Sequence, residues 1–161
     1  MLAVSDGSFI KEEKVGAAAW IIESNDQLAS YEGTIVTSGG AEIQNAYRSE
    51  LFGILGILTS IKKLCNEFNI TRGRLSIYCD GESVVKRINN SYTQVSNNSH
   101  HFDVINSILC MCDSLPVSVT FLHVKGHQDK YMPYSNLDHP SQLNILVDHL
   151  AKRAATAAIT S

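Results

Sequence analysis

Residues 1–36 read MLAVSDGSFIKEEKVGAAAWIIESNDQLASYEGTIV and contain three short apolar runs separated by turn-forming residues. The first run covers residues 1–5 and stops at Asp6-Gly7-Ser8, and the other two cover residues 16–22 and 30–36. Runs of this length, bounded by Gly, Asp and Asn, are typical of β-strands. Because short connections join them, we predict that the three strands form an antiparallel meander.

Helix and strand patterns alternate along the rest of the chain. Apolar residues recur every three or four positions across residues 46–68, which predicts a long amphipathic helix. We further predict strands at 75–79 and 117–124, helices at 82–89, 102–113 and 141–158, a loop at 89–101 and an irregular, proline-containing segment at 128–140. The order β-β-β-α-β-α-α-β-α predicts an α/β fold, a sheet with helices packed against it, in one domain over residues 1–161.

Composition narrows the class of protein. The chain has 161 residues and a formal net charge of −3, with 44% hydrophobic and 18% charged residues, as in ordinary globular domains. No apolar run reaches the roughly 18 residues of a membrane span, and no secretory leader precedes the first strand. We expect an intracellular protein without a membrane partner, cytoplasmic or nuclear. The acidic balance by itself argues against a nucleic-acid partner, because such partners usually require a basic surface.

The four cysteines, Cys65, Cys79, Cys110 and Cys112, lie in apolar surroundings and are predicted to be buried free thiols. One alternative is a zinc site formed by Cys110-x-Cys112 and His123-x-x-x-His127. The cysteine pair is one residue closer than zinc fingers use, and the residues between the two pairs form a predicted strand. The spacing therefore favours free thiols.

Two carboxylates share an unusual context. Asp6 and Asp80 each follow an apolar strand and precede a glycine. If the two strands are parallel neighbours, both side chains lie at the edge of the sheet where ligands collect. For either residue alone, the simpler interpretation is an Asp-Gly turn.

Two more acids border apolar helix faces. Glu50 immediately precedes the apolar stripe of the long helix, and Asp148 lies within the stripe of the last helix. Such positions face the sheet, although Glu50 is also explained by the helix dipole. Four carboxylates at one place would repel each other unless divalent cations neutralised them, and an all-oxygen site suits magnesium or manganese.

Five segments, taken in order, resemble the motifs of type 1 ribonuclease H. They are Ser5-Asp6-Gly7-Ser8, Arg48-Ser49-Glu50-Leu51, Tyr78-Cys79-Asp80-Gly81, His123-Val-Lys-Gly-His127 and Asn144-x-x-x-Asp148-x-x-Ala151. Each motif alone is weak, but the five together cover essentially the whole chain. The resemblance implies a ribonuclease H-like fold with a five-stranded mixed sheet.

The resemblance also implies a metal-dependent endoribonuclease that cuts the RNA strand of RNA/DNA hybrids with two Mg²⁺ ions, for which Mn²⁺ can substitute. Asp6 would bridge the two ions, Asp148 would help to hold the ion that activates water, and Glu50 and Asp80 would hold the other ion. His127 would assist proton transfer or product release. Its alternative interpretation is an exposed loop residue.

The implied substrate contacts are Gly7, Ser8, Asn45, Arg48 and Asn144, which would read 2′-hydroxyls and neighbouring groups of the hybrid. This sequence departs from the family there, because it has Asn45-Ala-Tyr-Arg48 where Thr-Asn-Asn/Gln-Arg is usual. The segment between His127 and Asp148 is longer than in compact bacterial forms. Its Lys130–Tyr134 stretch is either a nucleic-acid contact or a solvated lid.

The longer segment resembles that of ribonuclease H domains attached to reverse transcriptases of retroelements, so the chain is expected to be part of a larger reverse-transcriptase polypeptide. We also expect it to be a monomer. A catalytically silent scaffold domain and a nuclease for another nucleic acid remain alternatives. Two bound divalent ions would add four positive charges to the four clustered acids. The ions would thus offset the local negative charge, so the net charge of −3 does not by itself argue against a nucleic-acid partner.

Overall fold

The predicted N-terminal meander is present in a computed structural model, which describes residues 1–90 and 100–160. Its strands are β1 (Leu2–Ile10), β2 (Val15–Glu23) and β3 (Ser30–Val36), and each pairs antiparallel with the next. β2 is buried along nearly its whole length, whereas β3 is largely exposed at the edge of the sheet. The meander therefore provides both an edge and the centre of the sheet.

The remaining elements are α1 (Ala46–Glu67), β4 (Arg74–Cys79), α2 (Glu82–Asn90), α3 (Phe102–Ser114), β5 (Ser118–His123) and α4 (His139–Thr160). The strand order is β3-β2-β1-β4-β5, and β4 lies parallel to both β1 and β5. This confirms the predicted five-stranded mixed sheet and the predicted order of elements, with ends that differ by a few residues. The predicted loop at 89–101 falls mostly outside the described residues.

Helices cover both faces of the sheet. α1 packs its apolar stripe, including Leu51, Ile54 and Leu58, into the larger core with α2 and α3. α4 covers the opposite face, where Leu143 and Val147 pack against β1 and β2. No helix among the described residues has the length and apolar character needed to cross a membrane. The two helix layers carry Glu50 and Asp148 to the same end of β1.

The prediction that Asp6 ends the first strand is wrong. β1 continues to Ile10 because its antiparallel partner β2 continues beside it, and Asp6 is paired with Ala19 in mid-strand. The parallel partner β4 ends earlier, so the β1–β4 pairing stops at Ser5 and Cys79. Asp6 therefore does not belong to an Asp-Gly turn. It lies where the sheet loses its parallel neighbour.

The segment predicted as irregular at 128–140 contains two short 3₁₀ helices, Gln128–Lys130 and Tyr134–Asn136, and the start of α4. Pro140 is the second residue of α4 instead of part of the preceding loop. A proline is compatible with a first helical turn, because no intrahelical acceptor is available to an amide there. Asp138 Oδ1 accepts a hydrogen bond from the Ser141 amide and caps this turn.

The cysteine prediction is partly wrong. Cys65 and Cys79 are buried, but Cys110 is exposed and Cys112 is partly exposed on α3. A residue pair two apart on a helix cannot place both side chains on one face, since neighbours on a helix face lie three or four positions apart. None of the four cysteines forms a disulfide within the described residues.

Candidate metal and active site

The parallel pairing of β1 and β4 brings the first two carboxylates together. Ser5 is paired with Cys79, so the residues that follow them, Asp6 and Asp80, are neighbours at the end of this pairing. Asp6 is almost completely buried, with 3% of its surface exposed, and Asp80 is partly buried. The two side chains lie within hydrogen-bonding reach of each other.

Glu50 reaches the same place from α1. The Asn45 side chain accepts a hydrogen bond from the Arg48 amide at 2.7 Å and starts the helix, which places Glu50 on the inward face of its second turn. The Gly7 amide donates to Glu50 Oε1 at 3.1 Å, and the Cys79 thiol donates to Glu50 Oε2 at 3.2 Å. Both carboxylate oxygens are therefore held by donors from the sheet.

Asp148 completes the group from α4, on the other face of the sheet. It lies within hydrogen-bonding reach of Asp6, and its Oδ2 accepts from Lys152 Nζ at 2.8 Å. Lys152 is one helical turn further along, the spacing at which oppositely charged side chains pair on a helix. The structure thus brings all four predicted acids, Asp6, Glu50, Asp80 and Asp148, to one site around Asp6.

Burial and mutual repulsion shift the acidities in this cluster. Loss of water contact, followed by the charges of Glu50 and Asp80, raises the pKa of Asp6 far above its usual range. Burial, followed by the charge of Asp80, also raises the pKa of Glu50, and burial raises that of Asp80. Burial acts in the same direction on Asp148, but hydrogen bonds from Lys152 and Asp6 outweigh it and lower the pKa.

This donor set fits divalent cations. Carboxylates that repel one another in a desolvated site are stabilised by a bound positive charge, and carboxylate oxygens are the ligands that Mg²⁺ and Mn²⁺ prefer. One potential ligand atom from each of Glu50, Cys79 and Asp80 lies within 4.8 Å of the other two. Within residues 1–90 and 100–160 this is the one group of three or more such residues with that geometry, so the proposed cysteine–histidine zinc set is not assembled.

The loop after β5 closes one side of the cluster. A Cβ placed on Gly126 would lie 2.8 Å from Asp80 Oδ2, so the loop passes directly against this carboxylate. His123 Nε2 lies 3.2 Å from the Asp80 carbonyl oxygen. His127 is exposed, has a left-handed backbone with φ of 55°, and is close enough to Asp80 and Asp148 for its charge to affect both.

His127 also shares a cavity of about 180 Å³ with Asn144, Asp148 and Lys152. Asn144 is 2% exposed, and no hydrogen-bond partner for its Oδ1 is found in the described part of the chain. An exposed imidazole beside buried acids is placed to exchange protons with solvent. The predicted residues His127 and Asn144 are therefore next to the acid cluster.

The other predicted substrate contacts are divided between two places. The Gly7 amide donates to Glu50. Ser8 is the next residue of β1, is partly buried and is paired with Ala17 of β2. Arg48 instead lies on the far side of the α1 N-terminus, where it is 1% exposed and bound by Asp103 at 2.8 and 3.1 Å. Asn45 lies there too, with Nδ2 3.3 Å from His101 Nε2.

Three residues that support the site, Lys152, Cys79 and Gly126, were not predicted from the sequence to contact the acids. The pairing of Lys152 with Asp148 was detectable from their spacing of four residues on a predicted helix. The contact of Cys79 with Glu50 and the approach of Gly126 to Asp80 depend on how α1 and the β5 loop pack on β4. No local pattern indicates either contact.

Comparison with protein families gives a match to the RNase H model over residues 1–156. Among solved structures, LC11-RNase H1 in complex with an RNA/DNA hybrid, a protein isolated from compost by a metagenomic approach, is similar at a TM-score of 0.69 and 12% identity, with 98% of each chain covered. The PFV RNase H domain is similar at 0.66 and 20% identity, covering 97% of this chain and 94% of that one.

The N-terminal RNase H domain of rv2228c from Mycobacterium tuberculosis, solved as a fusion with maltose binding protein, has a TM-score of 0.58 and 13% identity, covering 99% of this chain and 96% of that one. At these identities the structural likeness shows the fold alone. Comparison with curated proteins gives no match.

Proposed function

The chain belongs to the RNase H family, and from this premise we propose that it is a metal-dependent endoribonuclease that hydrolyses the RNA strand of RNA/DNA hybrids. The observation that carries the proposal is the convergence of four carboxylates onto one site: Asp6 from β1, Asp80 from the end of β4, Glu50 from α1 and Asp148 from α4. A domain that serves only as a scaffold has no need to keep four acids together in a desolvated place, where burial raises the pKa of three of them, Asp6, Glu50 and Asp80.

Asp6, Glu50, Asp80 and Asp148 would hold two divalent ions, Mg²⁺ or Mn²⁺. Such ions, when bound, lower the pKa of an attacking water and stabilise charge on the leaving oxygen during phosphodiester cleavage. Hydrogen bonds from the chain itself orient these carboxylates. The Gly7 amide and the Cys79 thiol hold the two oxygens of Glu50, and Lys152 holds Asp148 in its charged form.

His127 would be the residue that moves protons. It is exposed, it lies near Asp80 and Asp148, and the backbone next to it at Gly126 touches the Asp80 carboxylate. An imidazole can both accept and donate a proton, so His127 would pass a proton between solvent and the leaving oxygen. Loss of this side chain would slow turnover without preventing it.

Recognition of a hybrid requires contact with the 2′-hydroxyl, the group that distinguishes RNA from DNA. Gly7 and Ser8 run along β1 next to Asp6 and are the groups nearest to the site for this purpose. Asn144 lies on the other side, beside His127 and Asp148. The similar LC11-RNase H1 fold in complex with an RNA/DNA hybrid supports a hybrid as the substrate.

The proposal is tested by incubating the protein in Mg²⁺ with four labelled substrates: an RNA/DNA hybrid, single-stranded RNA, double-stranded RNA and duplex DNA. We expect cleavage of the RNA strand of the hybrid alone. The matched control is Asp80→Asn, which keeps the size of the side chain and should abolish turnover while circular dichroism shows an unchanged fold.

Two results would replace the proposal. Tight hybrid binding without cleavage in either Mg²⁺ or Mn²⁺ would favour a silent scaffold domain. Cleavage of duplex DNA or single-stranded RNA at a comparable rate would favour a nuclease with another substrate. The single domain over residues 1–161, the monomeric state, the intracellular location and the attachment to a larger reverse-transcriptase polypeptide stay predictions from the sequence.

A further inference from the structure

An exposed aromatic and basic surface lies beside the acid cluster. We call it the Tyr131 platform and define it as Lys125, Lys130, Tyr131, Met132 and Tyr134. Tyr131 is 79% exposed, Met132 42% and Tyr134 43%, which is unusual for side chains of this size. Lys125 Nζ lies 5.8 Å from the centre of the Tyr131 ring, within the range of a cation–π contact.

The backbone under the Tyr131 platform is held by specific hydrogen bonds. The amides of Tyr131 and Met132 donate to the Gln128 carbonyl oxygen, and the Gln128 side chain donates to Lys125 O and Ser141 Oγ. Leu137 is buried and anchors the far end. Exposure of the rings therefore does not follow from a lack of local structure, because the segment that carries them is tied to α4.

The platform is continuous with the acid cluster. His127 begins the 3₁₀ turn that leads into Lys130 and Tyr131, and Lys130 lines the same cavity as His127, Asn144 and Asp148. A nucleic-acid strand that passes the four carboxylates on this side therefore meets the platform next.

The side chains of the platform suit nucleic acid in single-stranded form. Every base offers a flat face to an exposed aromatic ring, and lysine ammonium groups attract the phosphates between bases. Within a duplex the base faces are already stacked on one another, so an exposed ring adds little to the binding of paired nucleotides. One acid, Asp129, lies among these lysines and carries a negative charge. It lines the same cavity as Lys130 and Lys152, and its charge acts on Lys152 as well.

We propose that the Tyr131 platform binds unpaired nucleotides that extend from the hybrid, with a base stacked on Tyr131 and phosphates near Lys125 and Lys130. This inference rests on the proposed function, since it places a hybrid at the acid cluster. It adds a preference for hybrids that carry a single-stranded extension on one side of the cleavage site. Such a preference selects junctions between hybrid and single strand over the interior of long hybrids.

The test measures affinity by fluorescence anisotropy in Ca²⁺, which replaces Mg²⁺ so that the labelled substrate is not consumed. The probes are a blunt hybrid and four versions of it, each with a single-stranded extension on one of its four strand ends. The quantity of interest is the ratio of affinities for extended and blunt hybrids. We expect one extension to raise this ratio roughly five-fold or more, the lower range for stacking of one base.

Tyr131→Ala should return that ratio to about one, and Tyr131→Phe should keep it, because stacking needs the ring and not the hydroxyl. Tyr31→Ala is the matched control, since Tyr31 is an exposed tyrosine on β3, outside the platform. A wild-type ratio of one for all four extensions would overturn the proposal. So would a raised ratio that persists in Tyr131→Ala.

Failure of the proposed function gives a different result. If wild-type protein cleaves no hybrid in Mg²⁺, the enzyme proposal fails, but the affinity ratios still decide the role of Tyr131. If the protein binds no hybrid at all, the decisive measurement is the binding of a single-stranded oligonucleotide to wild type and to Tyr131→Ala. Equal or undetectable binding in that comparison overturns the platform.

Discussion

The thiol of Cys79 donates a hydrogen bond to Glu50 Oε2 across 3.2 Å, while the Gly81 amide donates to the same sulfur at 3.4 Å. Cys79 thus connects the turn that carries Asp80 to the carboxylate that α1 contributes to the site. Cys79 is 1% exposed, and burial raises the pKa of its thiol, so the group lies away from solvent and stays protonated. Its place in the structure is that of a positioning residue for Glu50.

Replacing Cys79 tests this role. Cys79→Ala removes the donor and leaves a small cavity, so we expect about 1–2 kcal/mol of lost stability and up to about tenfold weaker Mn²⁺ binding. Cys79→Ser keeps a donor of similar size and should hold Mn²⁺ binding close to wild type. Urea denaturation and Mn²⁺ titration followed by electron paramagnetic resonance provide the two measurements. Equal loss of Mn²⁺ affinity in both variants would contradict a role for the hydrogen bond.

Asp6→Asn tests the electrostatic cost of the cluster. The folded pKa of Asp6, about 11, and that of Glu50, about 7, lie above the unfolded values near 4, so the metal-free protein loses stability as pH rises through the folded values. The amide of Asn carries no charge and can donate to the neighbouring acids. We therefore expect Asp6→Asn to stabilise the metal-free protein by roughly 2 kcal/mol or more at pH 8, while abolishing cleavage.

The measurement for Asp6→Asn is the free energy of unfolding in a chelator at pH 5 and pH 8. The gain over wild type should be larger at pH 8, and added Mg²⁺ should stabilise wild type more than the variant. Glu12→Gln, at an exposed position in the β1–β2 turn, controls for the loss of one negative charge. A variant less stable than wild type at pH 8 would show that the acids do not repel one another as described.

Much of the fold was predictable because local periodicity determines it. The apolar stripe of α1 predicts which face of the helix meets the sheet and therefore that Glu50 points inward. Asp80 follows a strand whose end is marked by Gly81. Asp6 was misplaced because the end of β1 is decided by pairing with β2, which is a tertiary contact.

The acids of the site were predictable from the sequence, but most of the residues that hydrogen-bond to them were not. The motifs indicate Asp6, Glu50, Asp80 and Asp148, but the residues that orient them act across the fold. Cys79 reaches Glu50 only after α1 packs on β4. Lys152 is the exception, because its spacing of four residues from Asp148 is a local feature of a helix.

Gly126→Ala tests the close approach of the β5 loop to the site. The added methyl group would lie 2.8 Å from Asp80 Oδ2, so either the carboxylate or the loop must move. We expect kcat/KM on an RNA/DNA hybrid to fall about tenfold or more, because small displacements of catalytic groups are costly. The free energy of unfolding should change by less than about 1 kcal/mol, since the loop is exposed on its other side.

The matched control for Gly126 is Gly81→Ala, whose added methyl group would meet Val84 and Cys79 at 3.4 Å or more, an ordinary contact distance. This variant should keep activity within about threefold of wild type, the range of surface substitutions. Equal activity of Gly126→Ala and Gly81→Ala would mean that the loop adjusts without moving Asp80.

Arg48 and Asp103 form a two-point ion pair that joins α1 to α3. Arg48 is 1% exposed, and its guanidinium donates to Asp103 at 2.8 and 3.1 Å and, through Nε, to the Ser38 carbonyl oxygen at 2.8 Å. The Asp103 side chain is 65% exposed. Removal of the carboxylate charge therefore leaves a buried cation with weaker compensation, which is more costly than loss of an exposed pair.

We expect Asp103→Asn to destabilise the protein by about 1–2 kcal/mol at pH 7, the cost of weakening hydrogen bonds to a charged group that solvent partly screens. The hydrogen bonds from Arg48 lower the pKa of Asp103, so its contribution is complete above the unfolded value near 3.9 and is lost as pH falls through the folded value. The difference between wild type and Asp103→Asn in urea denaturation should therefore shrink at pH 3.

Asp113→Asn, on the exposed side of the same helix, should show almost no difference at either pH. A deficit of Asp103→Asn that is the same at pH 7 and pH 3 would show that the carboxylate charge does not stabilise Arg48.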